Sequence, residues 1–174
     1  YNKHQDLLEM IGKKYGVQPR FVVALWGIET DFGLVLGGFD VIPALATLAH
    51  DGRRSAFFRK ELLDALTIID QGHVSADNMK GSWAGAMGQS QFMPSSFRRY
   101  AQDYDGDGLQ DIWGTQGDVF ASAANYLKGS GWRDDITWGR EVSLPDTGAA
   151  SSANAMNLHD SKTWKKLSEW SALG

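Results

Sequence analysis

The sequence predicts a mainly α-helical protein, and three observations support this prediction. Apolar residues recur at helical spacing in several segments, as they do at Leu7, Leu8, Ile11 and Tyr15. Glycine and proline stand at the ends of these segments rather than inside them. The 174 residues include 43% hydrophobic ones, which is enough for one domain with a sizeable core.

The helical pattern divides the chain into seven segments. Pro19 suits the first turn of the second helix, and Gly16, Gly33 and Gly129 are expected to end helices. Residues 139–160 are rich in Ser, Ala, Asn and Gly and favour loops or short strands. We find no internal repeat and no linker, so a single domain over 1–174 is expected. The predicted helices cover residues 4–15, 19–32, 40–50, 53–70, 95–102, 117–128 and 161–170.

Composition excludes several functions. The formal net charge is -4 and no basic stripe is visible, which argues against a nucleic-acid partner. The absence of cysteine excludes disulfides, thiolate metal sites and a cysteine nucleophile. No apolar run approaches the ~20 residues of a transmembrane segment. Because the chain begins at Tyr1 and lacks an initiator methionine, we expect a piece of a longer precursor. We also expect a monomer.

Glu29 lies on an apolar arc of the second predicted helix. At about 100° per residue, this carboxylate is a neighbour of the stripe that we expect to be buried. Burial disfavours a charged carboxylate, and a protonated one can donate to the leaving oxygen of a glycosidic bond. The alternative is an edge carboxylate in a structural hydrogen bond or salt bridge. Asp31, the nearest acid, lies on the other side of the helix. The expected stripe consists of Phe21, Leu25, Ile28 and Phe32.

A loop rich in small residues follows at 81–88. Its glycines and alanines would let the backbone approach a ligand closely. Ser82, Gln89 and Gln91 add neutral donors and acceptors that suit sugar hydroxyl and acetamido groups. The alternative is an ordinary tight loop between helices.

The run 81–97, about fifty residues after the segment 29–33, resembles the membrane-bound lytic transglycosylase B family of peptidoglycan-cleaving enzymes. The resemblance covers residues 5–132 best. It implies a lysozyme-like catalytic domain in which Glu29 is the sole catalytic glutamate. The glycan contacts that it implies are made by Arg54, Ser82, Gln91 and Tyr126.

The resemblance also implies the reaction and its setting. The glutamate would first protonate the oxygen of the β-1,4 bond between N-acetylmuramic acid and N-acetylglucosamine. It would then act as a base on the muramyl 6-hydroxyl, so that a 1,6-anhydro ring closes without water. The expected partner is a peptidoglycan glycan strand in the periplasm, with or without lipid anchoring to the outer membrane through a segment absent here. The alternatives are a hydrolytic muramidase and a catalytically inactive glycan-binding module.

An acidic loop at 103–111 has the spacing of a helix–loop–helix calcium site. Carboxylates occupy loop positions 1, 3, 5 and 9, and glycine occupies position 6. Gly114 stands at position 12, where a bidentate glutamate is usual, and the family resemblance implies Asp118 in its place. We therefore expect a single inserted EF-hand-like loop over 103–118 that holds a structural Ca²⁺, with a solvated acidic turn as the alternative. The expected ligands are Asp103, Asp105, Asp107, the Leu109 carbonyl and Asp118.

Overall fold

The structure, a computed structural model, describes residues 2–136 and 166–171 and is mainly helical, as predicted. The chain forms two compact units, Tyr1–Asp135 and Ile136–Gly174. That residues 1–174 form a single catalytic domain stays a prediction. None of the helices in the described ranges is long and apolar enough to cross a membrane. The prediction for 139–160 lies outside the described residues.

The helix bounds agree with the sequence prediction to within a few residues, although the third helix begins at Val41, ahead of Pro43. Only the end of the last predicted helix, 161–170, lies among the described residues, where the structure has a short helix. A 3-10 turn, Asn2–His4, precedes α1, and another covers Ala76–Asn78. The helices are α1 (Gln5–Tyr15), α2 (Pro19–Thr30), α3 (Val41–His50), α4 (Ser55–Asp70), α5 (Pro94–Tyr100), α6 (Gln116–Gly129) and α7 (Leu167–Ser171).

A two-stranded antiparallel sheet links the segment before α3 to the small-residue loop. Strand β1 (Phe39–Asp40) pairs with β2 (Lys80–Gly81), and Phe39 lies opposite Gly81. An ion pair between Lys80 and Asp40 joins the two strands at their exposed side. The sheet therefore fixes where the small-residue loop begins.

The first helix ends where the sequence predicts. Gly16 adopts the left-handed conformation with φ 69°, and its N–H donates to the Gly12 carbonyl at 2.8 Å. Pro19 then occupies the first turn of α2, where its missing N–H costs no helical hydrogen bond.

The second helix ends at Thr30, two residues earlier than predicted. Asp31 and Phe32 both have left-handed backbones, with φ 50° and 59°. This conformation costs roughly 1–2 kcal/mol for a residue with a side chain. The Phe32 ring offsets part of that cost by packing edge-on against Trp26 at 5.4 Å. A side chain at Gly27 would lie 2.9 Å from the same ring, so glycine is needed beneath it.

The first unit contains two clusters of buried apolar residues. One joins α1, α2 and α6 through residues such as Leu8, Val22 and Phe120. The other joins α3, α4 and α5 to the loop that follows β2, through residues such as Leu45 and Phe97. Both clusters hold in place helices and loops whose residues form the site described below.

The buried stripe predicted for α2 is wrong. Ile28 is 82% exposed and Phe32 is also exposed, whereas Val22 is only 1% exposed. The physical reason is that α2 packs on α1 and α6. Ile28 lies on a side of the last turn that stays in solvent, whereas Thr30 on the same turn is buried. Glu29 lies on this turn and is exposed.

Replacing Val22 and Ile28 by alanine separates the two interpretations of α2. We expect Val22→Ala to lower the free energy of unfolding by about 2 kcal/mol, because two buried methyl groups leave a cavity. Ile28→Ala should change it by less than about 0.5 kcal/mol. Urea unfolding followed by circular dichroism measures both. A larger loss for Ile28→Ala would restore the predicted stripe.

Candidate functional site

A pocket of about 230 Å³ opens beside the last turn of α2. Its walls come from α2, from the loop 89–93 with the start of α5, and from α6. Most of the lining is apolar, and the polar groups are few. The polar side chains that line the pocket are Glu29, Gln89, Ser90, Gln91, Ser96 and Tyr126.

Glu29 is the carboxylate of this pocket. Among the described residues, no other aspartate or glutamate lines it. Leu25 and Trp26, one turn earlier on α2, line the same wall. The pocket can therefore offer one proton donor or acceptor of carboxylic type, next to an apolar surface.

Thr30 anchors the end of α2 that carries Glu29. The residue is buried, and its hydroxyl lies 3.1 Å from the Gln89 carbonyl and 3.2 Å from the Trp26 carbonyl, so it can donate to either. The same oxygen accepts the Gly33 N–H at 3.2 Å. One buried hydroxyl thus ties the helix end, the turn after it and the loop 89–93 together.

Gln89 is a buried polar residue whose amide bonds to three elements. Its Oε1 accepts from Trp26 Nε1 at 2.7 Å and from Gln116 Nε2 at 3.3 Å, and its Nε2 donates to the Trp113 carbonyl at 2.7 Å. The amide is thereby engaged within the protein, although the sequence suggested it for sugar binding. A side chain at Gly33 would come within 2.5 Å of Gln89 Oε1, which explains the glycine there.

Gln91 and Tyr126 line the pocket together with Glu29. Gln91 has a left-handed backbone with φ 46°, and its Nε2 donates to the Leu36 carbonyl at 3.2 Å and the Gly88 carbonyl at 3.1 Å. With its amide hydrogens used in this way, Oε1 is the group that Gln91 can offer to a ligand. The Tyr126 ring packs against Phe92 at 5.6 Å and keeps a partly exposed face.

Arg54 and Ser82 lie outside this pocket. The Ser82 hydroxyl accepts the Ala86 N–H at 3.0 Å, which closes a tight turn. The Arg54 guanidinium lies over the Phe57 ring at 4.4 Å and borders a separate groove that also contains Trp83. The structure therefore brings together three of the five predicted site residues and places the other two elsewhere.

The acidic loop brings three of its predicted metal ligands together. Oxygens of Asp103, Asp105 and Asp107 lie within 4.8 Å of one another. Desolvation works against ionisation of Asp103, but N–H groups of Gly108 and Gly106 outweigh it and lower the pKa of this carboxyl. Clustered carboxylate oxygens are the donors that a hard divalent cation such as Ca²⁺ prefers.

Asp118 lies buried at the start of α6, behind the loop. Its two oxygens accept the N–H groups of Tyr104 at 2.7 Å and Asp111 at 2.8 Å. Burial raises the pKa of Asp118, and the charges of Asp105 and Asp103 add to the shift. The Asp111 carboxylate instead caps the next turn, where it accepts the Trp113 N–H at 2.9 Å. The three loop carboxylates thus fit a cation that would offset their negative charge, whereas both oxygens of Asp118 already accept backbone N–H groups.

Comparison with known proteins identifies the family to which this helical chain belongs. Residues 1–174 match the transglycosylase SLT domain, and the chain belongs to that family. Over 133 residues it is 41% identical to membrane-bound lytic murein transglycosylase B of Escherichia coli K12. The aligned region covers 76% of this chain and 37% of that protein. The resemblance seen in the sequence is thereby confirmed.

Solved structures show the same fold. SltB3 from Pseudomonas aeruginosa, in complex with NAG-NAM-pentapeptide, superposes with a TM-score of 0.90 at 46% identity, covering 99% of this chain and 45% of that one. Slt35 from Escherichia coli, in complex with calcium, gives 0.75 at 40% identity, covering 79% of this chain and 44% of that one. The chain spans less than half the length of these relatives.

Gln89 is the positioning residue that the sequence did not reveal, and its replacement tests that role. We expect Gln89→Ala to lower the free energy of unfolding by about 1–3 kcal/mol, since Trp26 Nε1 and the Trp113 carbonyl lose their partner. The exposed Gln71→Ala should stay within about 0.5 kcal/mol of the parent. Thermal and urea unfolding measure both, and equal stability of the two variants would show that the buried amide network is dispensable.

Proposed function

We propose that this chain is the catalytic domain of a peptidoglycan lytic transglycosylase. It would cleave the β-1,4 bond between N-acetylmuramic acid and N-acetylglucosamine without water and leave a 1,6-anhydromuramyl end. Membership of the transglycosylase SLT domain family supports the reaction class. The observation that carries the proposal is Glu29, the one carboxylate that lines the pocket in the described part of the chain.

A lone carboxylate favours the non-hydrolytic route over a muramidase. Most glycosidases that add water use two carboxyl groups, one as acid and one as nucleophile or as the base that activates water. In the described part of the chain, Glu29 has no such second acid beside it in the pocket. A reaction in which one group serves first as acid and then as base needs only Glu29.

In the acid step, Glu29 would donate its proton to the leaving glycosidic oxygen. The carboxyl is exposed without substrate. A glycan in the pocket would exclude water and press the carboxyl against Leu25 and Trp26, which favours the protonated form. Substrate binding would thereby prepare the acid that the reaction needs.

In the base step, the same carboxylate would take a proton from the muramyl 6-hydroxyl, which then attacks the anomeric carbon. The positive charge that develops between the two steps would be stabilised by the acetamido group of the substrate. Gln91 Oε1 and the Tyr126 ring would hold the sugar in the pocket. Arg54 and Ser82 lie outside the lining of the pocket, so the contacts proposed for them would be with parts of the strand beyond it.

Glu29→Gln tests whether this carboxyl acts in the reaction. The amide keeps the shape but cannot transfer the proton, so we expect clearing of cell-wall suspensions to fall by about 10²- to 10⁴-fold. The exposed neighbour Asp31→Asn should retain near-parent activity. Circular dichroism confirms that both variants fold, and sedimentation with insoluble peptidoglycan measures binding. Undiminished clearing by Glu29→Gln would remove Glu29 from the mechanism, and a parent chain that binds without clearing would indicate a glycan-binding module.

Product mass separates the transglycosylase from the muramidase. Mass spectrometry of digested glycan strands should show muramyl ends that are one water lighter than hydrolytic ends. Products that carry the added water would instead indicate hydrolysis.

We further propose that the acidic loop binds one structural Ca²⁺. The ligands would be Asp103, Asp105, Asp107, the Leu109 carbonyl and Asp118. The cluster of carboxylate oxygens in this chain supports the proposal, as does a relative, Slt35, whose structure was determined in complex with calcium. Because the loop joins α5 to α6, the ion would stabilise the segment that leads into α6, the helix that carries Tyr126.

Calcium should stabilise the folded chain. A ligand at a hundredfold excess over its Kd, bound to the folded state alone, adds about 2.7 kcal/mol, or roughly 5–10 °C in Tm for a chain of this size. Asp105→Asn should lose most of this response, whereas Asp77→Asn, exposed and outside the loop, should keep it. Differential scanning fluorimetry with calcium and with chelator measures the shift. Identical midpoints in the two conditions would contradict the site.

The proposed setting follows from the substrate. Peptidoglycan lies in the periplasm, and we propose that location for this chain. We also propose that residues 1–174 act as one monomeric catalytic domain, and gel filtration of the intact chain tests the oligomeric state.

A further inference from the structure

Trp83 stands apart from the other tryptophans whose side chains the structure describes. Its side chain is 64% exposed, whereas Trp26, Trp113 and Trp132 are each partly buried. A side chain in water contributes little apolar burial to the fold, so packing does not account for an indole at this position. Tryptophan is enriched at interfaces, and its flat apolar face suits the C–H face of a sugar ring.

A rigid turn presents the indole. The Gly85 N–H donates to the Ser82 carbonyl at 3.0 Å, and the Ser82 N–H donates to the Ala86 carbonyl at 2.8 Å. Any side chain at Gly85 would come within 2.4 Å of Leu45, so the turn lies tightly on the core. The backbone of Trp83 is therefore held in place while its ring stays in solvent, which lowers the entropic cost of binding.

Two grooves border the ring. Leu48 and Trp83 line both of them. The first, of about 360 Å³, adds the charged side chains of Asp51, Arg53 and Arg54. The second, of about 480 Å³, adds Phe39 and Thr47 among others. An aromatic face beside hydrogen-bonding side chains suits a sugar, which has apolar C–H faces and a polar rim.

The turn that carries Trp83 is joined to the catalytic pocket by close backbone contacts. Gly81, two residues before Trp83, pairs with Phe39, and a side chain at Gly37 would collide with the Gly81 carbonyl at 2.1 Å. The Leu36 carbonyl, next along the chain, accepts from Gln91 Nε2, and Gln91 lines the pocket. These contacts hold the turn that carries Trp83 at a fixed place relative to the pocket.

We propose that Trp83 is a stacking platform for a sugar ring of the glycan strand, at a subsite distinct from the pocket that holds Glu29. This inference rests on the proposed function and adds a second place where a long glycan strand is bound. Its consequence is that affinity depends on strand length: a disaccharide fills the pocket alone, whereas a longer strand also covers the indole.

Binding to peptide-free glycan fragments tests the subsite in the Glu29→Gln background, which prevents cleavage. We expect Trp83→Ala to weaken binding of an octasaccharide by about 3- to 10-fold and to leave binding of a disaccharide unchanged. Trp83→Phe, which keeps an aromatic face, should recover much of the loss. Met10→Ala, which removes an exposed apolar side chain on α1, should bind both fragments like the parent. Isothermal titration calorimetry gives the affinities.

The parent indole should also report the contact, with a change in tryptophan fluorescence on octasaccharide binding that Trp83→Ala lacks. Equal losses for both fragments would place Trp83 in the cleavage pocket, and no loss for either would leave it without a role; both outcomes overturn the inference. The proposed function fails separately. If the parent chain does not cleave glycan but its octasaccharide affinity still depends on Trp83, the subsite stands and the catalytic proposal falls.

Discussion

The bonds made by Gln89 and Thr30 are the constraint on which the site depends. Glu29 lies at the end of a helix, where backbone hydrogen bonds run out and ends fray. The buried Thr30 hydroxyl reaches the Gln89 carbonyl, and the Gln89 side chain accepts from Trp26 one turn earlier on α2. These bonds fix the backbone that carries the exposed carboxyl of Glu29, because they tie the end of α2 to Gln89.

The same constraint explains the turn that follows. Two successive residues, Asp31 and Phe32, have left-handed backbones, which few side-chain-bearing residues adopt without support. Phe32 packs on Trp26, and Trp26 is fixed in turn by its bond to Gln89. The strained turn and the buried amide thus support each other, and the helix ends early enough to expose its last turn to the pocket.

Local signals in the sequence predicted the parts of the structure that depend on neighbours in the chain. Gly16 ends α1 because the left-handed backbone at that position favours glycine, which is a local requirement. The acidic loop brings its carboxylates together because they are close in sequence. The exposure of Ile28 could not be predicted, because periodicity shows which residues share a face but not which face the neighbouring helices cover. Gln89 was misread for a related reason: its partners Trp26 and Trp113 are far away in sequence.

Because Glu29 is exposed, the proposed reaction depends on the bound substrate to desolvate its carboxyl. Had the helix buried the carboxyl, the protein alone would hold it neutral and also carry the cost of desolvation in the resting state. With the carboxyl open to water, the proposed glycan would complete its desolvation, and the free energy of strand binding would offset that cost. Contacts beyond the pocket would then add to the energy available for that step, because they hold the strand without touching the reacting bond. A rigidly held indole at Trp83 is placed to make such a contact, since its turn is joined to the pocket through Gln91 and the segment before β1.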